Sequence, residues 1–505
     1  RAQEIDSVLS RFTSYPAEKI YIHYDKSWYI AGETIWFKAY LTYDGKPREL
    51  SNNFYLHLTD EKGNIVIRKN YPVLGATATG SIDLPDSLQE GYYHVKAFTP
   101  YTLSSDGELI YQKSIFVYNP SNKSKALASL PGLFVRFYPE SGNLIDGVSM
   151  VVAFQATDEN GMPANVNGVI KSADGTIIAP FKTSYAGIGR MQFKPVAGTS
   201  YFGEVEWNGK KNIYPLPEVK SSGVYLKVQD EKGGKFFQVT RGSKNKEQFE
   251  NLRLVVQSNN RLVYETDFSF DGYPSVIGHL LTDSLKSGII HFTVFTKDNI
   301  PLAERLAFVD NREYIIKSEI AINKFAAEKR TENEFEIRFP DTVQRSISVS
   351  VTDAVFSSNP TENIYSGFLL TGDLKGYIHE PAYYFRSQDD STRFSLDNLM
   401  LVHGWSRWNW TDLLGGKLKL SPLSDEPSLV SISGLVTDQG NKKAISGGSL
   451  NFYIEGEDSL SQSVDVPVDQ NGRFHIDSLL FNGKAVVYYS YFDKKDKEKK
   501  INIIV

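Results

Sequence analysis

The sequence predicts an all-β chain, a string of about five β-sandwiches of which one carries helical insertions. Three observations lead there. Segments of about five to nine residues alternate apolar and polar along most of the chain, the period of a half-buried strand. Turns rich in Gly, Asp and Asn separate them. Aromatic residues reach 13%, with 30 Phe and 29 Tyr, and beside frequent Val, Ile and Thr these favour strands over helices.

The elements follow in order. The first residues, "RAQEIDSVLS", head an N-terminal segment at 1–17 with the periodicity of a short helix. They lack an initiator Met, and Ala-Gln near the start is what a signal peptidase leaves, so export is expected. No Cys stands there to carry a lipid anchor. A first sandwich is expected at 18–120. In it "NFYLHLTDEKGNIVIRKNY" reads as strand, turn, strand, with Gly63 able to take positive φ. After the polar, Pro-bounded "NPSNKSKALASLPG", a second sandwich is expected at 131–217. After "YPLPEVKSSG" a third spans 221–311. The fourth unit, 312–420, is irregular; "LDNLMLVHGWSRWNWTDLL" in it has helical spacing. The last sandwich, 428–505, follows "KLKLSPLSDEPS".

Composition excludes several functions. A net charge of −5 gives no electrostatic footprint for nucleic acid. With no cysteine, disulfides, thiolate zinc sites, a Cys nucleophile and a thioester are all excluded within the chain. No apolar run nears the roughly 20 residues that cross a bilayer, so no transmembrane segment is expected here.

No motif points to chemistry. His23 and Asp25 share a strand face, but no G-x-S-x-G elbow accompanies them; Asp25 reads as a turn acceptor. The eight histidines are scattered without metal-ligand spacing. "TDENG" and "VDQNG" lack the closing Glu of a calcium loop and read as hairpin turns. "EKGGK" lacks the strand–loop–helix setting of a phosphate loop. No catalytic residue, metal site or cofactor is therefore expected, and the chain reads as a non-enzyme. Two stretches stand out as a possible interaction surface. One is "GWSRWNW", with Trp405, Arg407, Trp408 and Trp410; the other is "GDLKGYIHEPAYYF", with Tyr377, Tyr383 and Tyr384. Trp and Arg are interface anchors, but the same residues serve equally as a clamp between neighbouring domains.

The stretch "YIHYDKSWYIAGETIWFKAYL" carries a resemblance. Asp25-Lys26, Tyr29, Gly32-Glu33-Thr34 and Trp36-Phe37-Lys38 resemble, in order, the signature of the macroglobulin-type sandwich of alpha-macroglobulins. There Gly32 permits the tight turn, and Tyr29 and Trp36 are expected to bury against the facing sheet. "FYPESGNLIDGVSMVVAFQATDENGMPANVNGVI" and "KDNIPLAERLAFVDN" resemble further immunoglobulin-like or macroglobulin-like sandwiches of large exported Gram-negative proteins. The last unit resembles the carboxypeptidase regulatory-like domain that often precedes the plug of TonB-dependent receptors. The resemblance implies an exported scaffold, periplasmic or associated with the outer membrane or cell surface. Its implied partner is an outer-membrane barrel or receptor complex of transport or assembly. Two alternatives stay open. One is a protease inhibitor without thioester, with bait loops at "SLPGLF" or "FSSNPTENIYSG"; the other is a glycan- or peptide-binding module.

Overall fold

The computed structural model describes residues 5, 7–9, 18–48, 50–106, 110–122, 132–353, 361–404, 410–415, 431–456, 461–476, 479, 484–493, 495, 497 and 500–505. Residues 123–131 of the candidate linker at 119–132, the candidate linker at 417–428, the starts of both candidate bait loops, and Trp405, Arg407 and Trp408 lie outside the described residues. The chain is all-β and forms two compact units. One gathers Pro16–Ser124, Ser350–Ser357 and Leu420–Val505; the other gathers Arg1–Tyr15, Lys125–Val349 and Ser358–Lys419.

In the first of these units, nine strands make a sandwich: β1 (Lys19–Tyr24), β2 (Trp28–Ile30), β3 (Thr34–Tyr43), β4 (Lys46–Pro47), β5 (Asn53–Thr59), β6 (Ile65–Pro72), β7 (Thr77–Asp83), β8 (Gly91–Phe98) and β9 (Tyr111–Tyr118). One sheet joins β1, β3, β4 and β7; the other runs β2-β9-β8-β5-β6. Alternation turns Ile22, Ile35, Phe37, Phe54, Leu56, Val95 and Val117 inward to a shared core. The same parity corrects one expectation. Ile35 and Phe37 occupy the inward positions of β3, so Trp36 between them points out and is 59% exposed. The last sandwich pairs Ile432–Asp438 with Arg473–Ile476 and Ile501–Ile504, and Ser449–Gly456 with Ser461–Pro467 and Ala485–Phe492. Val436, Leu450, Phe452 and Phe474 fill its core.

The expected hairpin turns share one device. Asp60, Asp158 and Asp469 each accept, on one side-chain oxygen, the backbone N–H groups two and four residues on, at 2.7–2.9 Å. The short carboxylate thus replaces a main-chain acceptor and closes the turn.

The other unit holds two sandwiches. In the second sandwich Leu133–Pro139, Met150–Asp158 and Ile188–Phe193 face a sheet of Ile177–Lys182, Asn167–Ser172, Tyr201–Trp207 and Lys210–Pro215. Phe137, Phe154 and Phe181 meet edge to face in its core. In the third, Val224–Glu231, Gly234–Arg241 and Ser275–Leu281 face a sheet of Arg261–Ser269, Asn251–Ser258, Gly288–Thr296 and Pro301–Val309. Core rings here lie over cross-strand glycines, as at Phe237 opposite Gly278, where a Cβ would sit 2.2 Å from the ring.

A helix, Asp390–Val402, packs on both sandwiches. It begins earlier than its apolar periodicity indicates, because Asp389 caps it by accepting from the Thr392 N–H at 2.7 Å. Leu396, Leu399 and Met400 on the helix share a core with Ala153 and Ile188 of the second sandwich and Leu306 and Phe308 of the third. At its centre lies a buried guanidinium. Arg305 Nε donates to Glu140 at 2.9 Å and its Nη2 to Asp397 of the helix at 2.6 Å. Arg190 also reaches Asp397, at 2.6 Å, and the Tyr225 hydroxyl donates to Glu140 at 2.5 Å. Burial opposes ionisation of Asp397, but the Arg305 and Arg190 charges outweigh it and hold the carboxyl below its usual range.

Two outcomes are expected. Asp397→Asn leaves Arg305 short of one charge partner and destabilises this unit by about 2–3 kcal/mol, somewhat below the cost of breaking a fully buried pair; thermal denaturation measures it. Because the folded carboxyl is depressed, its contribution is full above the ordinary carboxylate pKa of about 4 and fades as pH falls below it. The loss in the variant therefore shrinks in acid; a loss that stays constant from neutral to pH about 3 contradicts the ionised pair. Gly278→Ala forces Phe237 from its seat and costs about 1–3 kcal/mol, read as a lower Tm; an unchanged Tm contradicts the close packing.

Candidate functional site

The signature residues Asp25 to Trp36 build a corner whose product is an outward-facing strand. Asp25 follows β1, and its Oδ1 accepts the Tyr29 hydroxyl at 2.6 Å and the Trp36 N–H at 3.0 Å. Tyr29 is fully buried. Burial, then its bond to Asp25, pushes the phenol far above its ordinary pKa, so it stays a neutral donor. Lys26 Nζ meets Glu33 Oε2 at 2.8 Å, and that oxygen also accepts the Ile30 N–H at 2.8 Å. Gly32 turns the chain at φ 86°, and a Cβ there would run into Asp86. Thr34 Oγ1 donates to Asp83 at 2.7 Å. So held, β2 pairs in parallel with β9, Trp28 opposite Phe116 and Ile30 opposite Tyr118.

With Tyr29 inward, Trp28 and Ile30 face outward. The neighbouring outward positions are Phe116 and Tyr118 on β9 and Tyr92 on β8. Their rings form one row across three strands: Trp28–Tyr118 at 4.9 Å, Tyr118–Phe116 at 4.6 Å and Phe116–Tyr92 at 5.0 Å, each edge to face. Tyr92, Tyr118 and Ile30 are exposed. Further along the same face, Tyr55 stacks on Phe98 at 5.5 Å and His57 meets Phe98 at 5.1 Å. His57 pairs across the strands with Lys96 and Arg68. Its pKa is lowered by burial and by those two cations, so the imidazole is neutral at neutral pH. The face is thus an apolar aromatic row with a basic end. It offers contact area.

The other candidate residues lie in the second unit. Tyr383 stacks on Tyr185 at 3.5 Å under the Arg386 guanidinium, and Tyr384 beside it is buried. Trp410 is buried, meets Phe295 edge to face at 5.0 Å, and its Nε1 donates to Thr293 at 3.2 Å. Tyr377 is exposed beside His379. The structure therefore brings Tyr383 and Tyr384 together and places Tyr384 and Trp410 inside. A cavity of about 750 Å³ opens by the helix, lined among others by Ser141, Glu304, Arg305, Leu401 and Trp410. Its central charges, Glu140 and Arg305, are spent on each other. Among the described residues no three His, Asp or Glu side chains gather in a metal-binding group. Reading the sequence missed Trp28, Tyr92, Phe116 and Tyr118. The alternation of "KSIFVY" carried the signal for two of them, but their union with β2 needs the strand order.

No family model matches the chain, and no curated protein matches it. Among solved structures, a Salmonella alpha-2-macroglobulin aligns over 97% of this chain and 39% of its own, at 8% identity and TM-score 0.18. The native alpha-2-macroglobulin of E. coli aligns over 97% and 29%, at 8% identity and TM-score 0.18. A tetra-tandem repeat from the extending region of a large adhesion protein aligns over 97% and 99%, at 10% identity and TM-score 0.15. The chain spans well under half the length of those macroglobulins. Likeness at this level assigns neither family nor activity.

The corner is open to direct test. Tyr29→Phe removes a hydrogen bond to a carboxylate, worth about 1.5–3 kcal/mol. A lower Tm with red-shifted emission from the chain's tryptophans is expected. A variant as stable as the parent contradicts the role given to the Asp25–Tyr29 bond.

Proposed function

We propose that the chain is a non-catalytic, exported interaction scaffold that serves an outer-membrane transport or assembly complex, with the outer face of its first sandwich as the docking surface. The observation that carries this reading is the ring row of Trp28, Tyr118, Phe116 and Tyr92 with Ile30. Trp and Tyr at the centre, with basic residues at the margin, is the composition of protein-binding hot spots. An apolar row on the outer face of a sheet gains free energy when covered. A non-catalytic role is supported by the ties of Glu140 and Asp397 to Arg305, which leave neither poised as acid or base. The setting rests on the resemblance of the Phe137–Ile170 stretch to sandwiches of large exported Gram-negative proteins. The barrel or receptor partner is inferred from the likeness of the last unit to the domain that precedes receptor plugs.

The test places a photo-cross-linking side chain at Tyr92 in the full chain and exposes it to detergent-solubilised outer membranes of the host. The expected result is one cross-linked barrel protein, lost on Trp28→Ala with Tyr118→Ala but retained on Trp36→Ala, which lies outside the row. Cross-linking that survives loss of the row, or none at all, overturns the reading.

A further inference from the structure

None of the five strands that carry the docking face, β2, β9, β8, β5 and β6, contains an Asp or a Glu. In a chain where acidic residues outnumber basic ones by 60 to 55, so one-sided a sheet is a charged surface in its own right. Arg68 on β6, His57 on β5 and Lys96 on β8 are successive cross-strand partners on the outer face, and Gln112 on β9 continues the line. At about 4.8 Å per strand, the three basic residues fall within about 10 Å. Like charges side by side across strands cost free energy. Among the described residues no carboxylate offsets that cost, because neither Arg68 nor Lys96 has an ion-pair partner. The carboxylates of the turn between β5 and β6 are engaged elsewhere: Asp60 closes the turn, and Glu61 accepts the Tyr92 N–H at 3.2 Å. The basic line also has rings on both sides. The outward positions of β8 run Tyr92, His94, Lys96, Phe98, about 20 Å from first to last, with the ring row at one end and the Tyr55–Phe98 stack at the other.

We propose that the occupant of this face is an acidic segment of a partner protein, with apolar anchors over the ring row and over Tyr55–Phe98 and carboxylates between them on the Arg68–His57–Lys96 line. The proposal rests on the reading of this face as the docking surface and adds the chemistry of what docks. Charge complementarity requires an anion: carboxylates on the line pair Arg68 and Lys96 and remove the like-charge cost that the free sheet carries. The layout requires a polypeptide. A lipid surface is laterally uniform and holds its charge in a plane above its apolar chains, so it matches rings and cations set at different depths. Here rings, cations and rings lie side by side on one flat sheet. A protein segment changes from apolar to acidic and back within a few residues, which is the alternation this face presents.

The test places the photo-cross-linking side chain at the exposed Gln112, opposite Lys96, in the full chain. The chain is exposed to the same solubilised outer membranes, and the cross-linked partner peptide is sequenced by mass spectrometry. The expected peptide carries Asp or Glu residues next to the cross-link. Lys96→Glu and Arg68→Glu each cut the cross-linked yield on the order of tenfold, and high salt lowers it as well. Lys69→Glu makes the same charge change on β6 opposite Leu56, off the line, and leaves the yield unchanged. Because neither Arg68 nor Lys96 is paired within the described chain, neither substitution lowers Tm, which separates lost docking from lost fold. A cross-linked peptide without Asp or Glu near the cross-link, or a yield that resists both Lys96→Glu and Arg68→Glu, overturns the acidic occupant. If Trp28→Ala with Tyr118→Ala still abolishes that yield, the docking face itself stands; if it does not, both readings fall. Binding to protein-free vesicles of phosphatidylethanolamine and phosphatidylglycerol that Lys96→Glu abolishes overturns the proposal in favour of a lipid surface.

Discussion

The hydrogen bond from the buried Tyr29 hydroxyl to Asp25 decides which way the short strand β2 of the first sandwich faces. β2 has three residues, too few to fix their own orientation through packing alone. With Tyr29 anchored inward at 2.6 Å from Asp25, Trp28 and Ile30 have no place but the outer surface. The Lys26–Glu33 pair and the Gly32 turn then bring the chain back into β3 in register with β1. A signature that looks catalytic by its residue types, with His, Asp and Lys close together, is thus a device for aiming a strand. What it aims is the first ring of the row that crosses β2, β9 and β8.

A second constraint rules the other unit. A guanidinium buried as fully as Arg305 is stable only with its charge matched. The matching carboxylates come from the second sandwich, through Glu140, and from the helix, through Asp397, while Arg305 itself belongs to the third. One ion cluster thereby joins three elements that also share an apolar core. The same matching ties Glu140 and Asp397 to Arg305, and the Arg305 and Arg190 charges hold the Asp397 carboxyl below its usual range.

Much of this was legible in the sequence, and the limits have physical causes. The Asp-x-x-Gly turns at Asp60, Asp158 and Asp469 could be read directly, since a short acceptor and a residue free to take positive φ are local requirements. Strand alternation was equally plain, but its phase was not. In "TIWFKAYL" three large apolar residues in succession offer two phases, and only the fit of Ile35 and Phe37 to the core settles that Trp36 points out. The helix from Asp390 was seen late, because its first turn is polar and announces itself through the Asp389 cap rather than through periodicity. The Arg305 cluster was not legible, and of the ring row only the outward alternation of Phe116 and Tyr118 was. Each joins residues far apart in the chain, and no local pattern encodes that β2 lies beside β9 or that Glu140 meets Arg305.

The most direct measurement is hydroxyl-radical footprinting of the full chain, free and after incubation with detergent-solubilised outer membranes of the host. Oxidation of Tyr92 and Tyr118 is expected to fall on binding while the exposed Trp36 reacts as before. Unchanged oxidation of Tyr92 and Tyr118, with protection appearing elsewhere on the chain, would contradict the assignment of the outer face of the first sandwich as the docking surface.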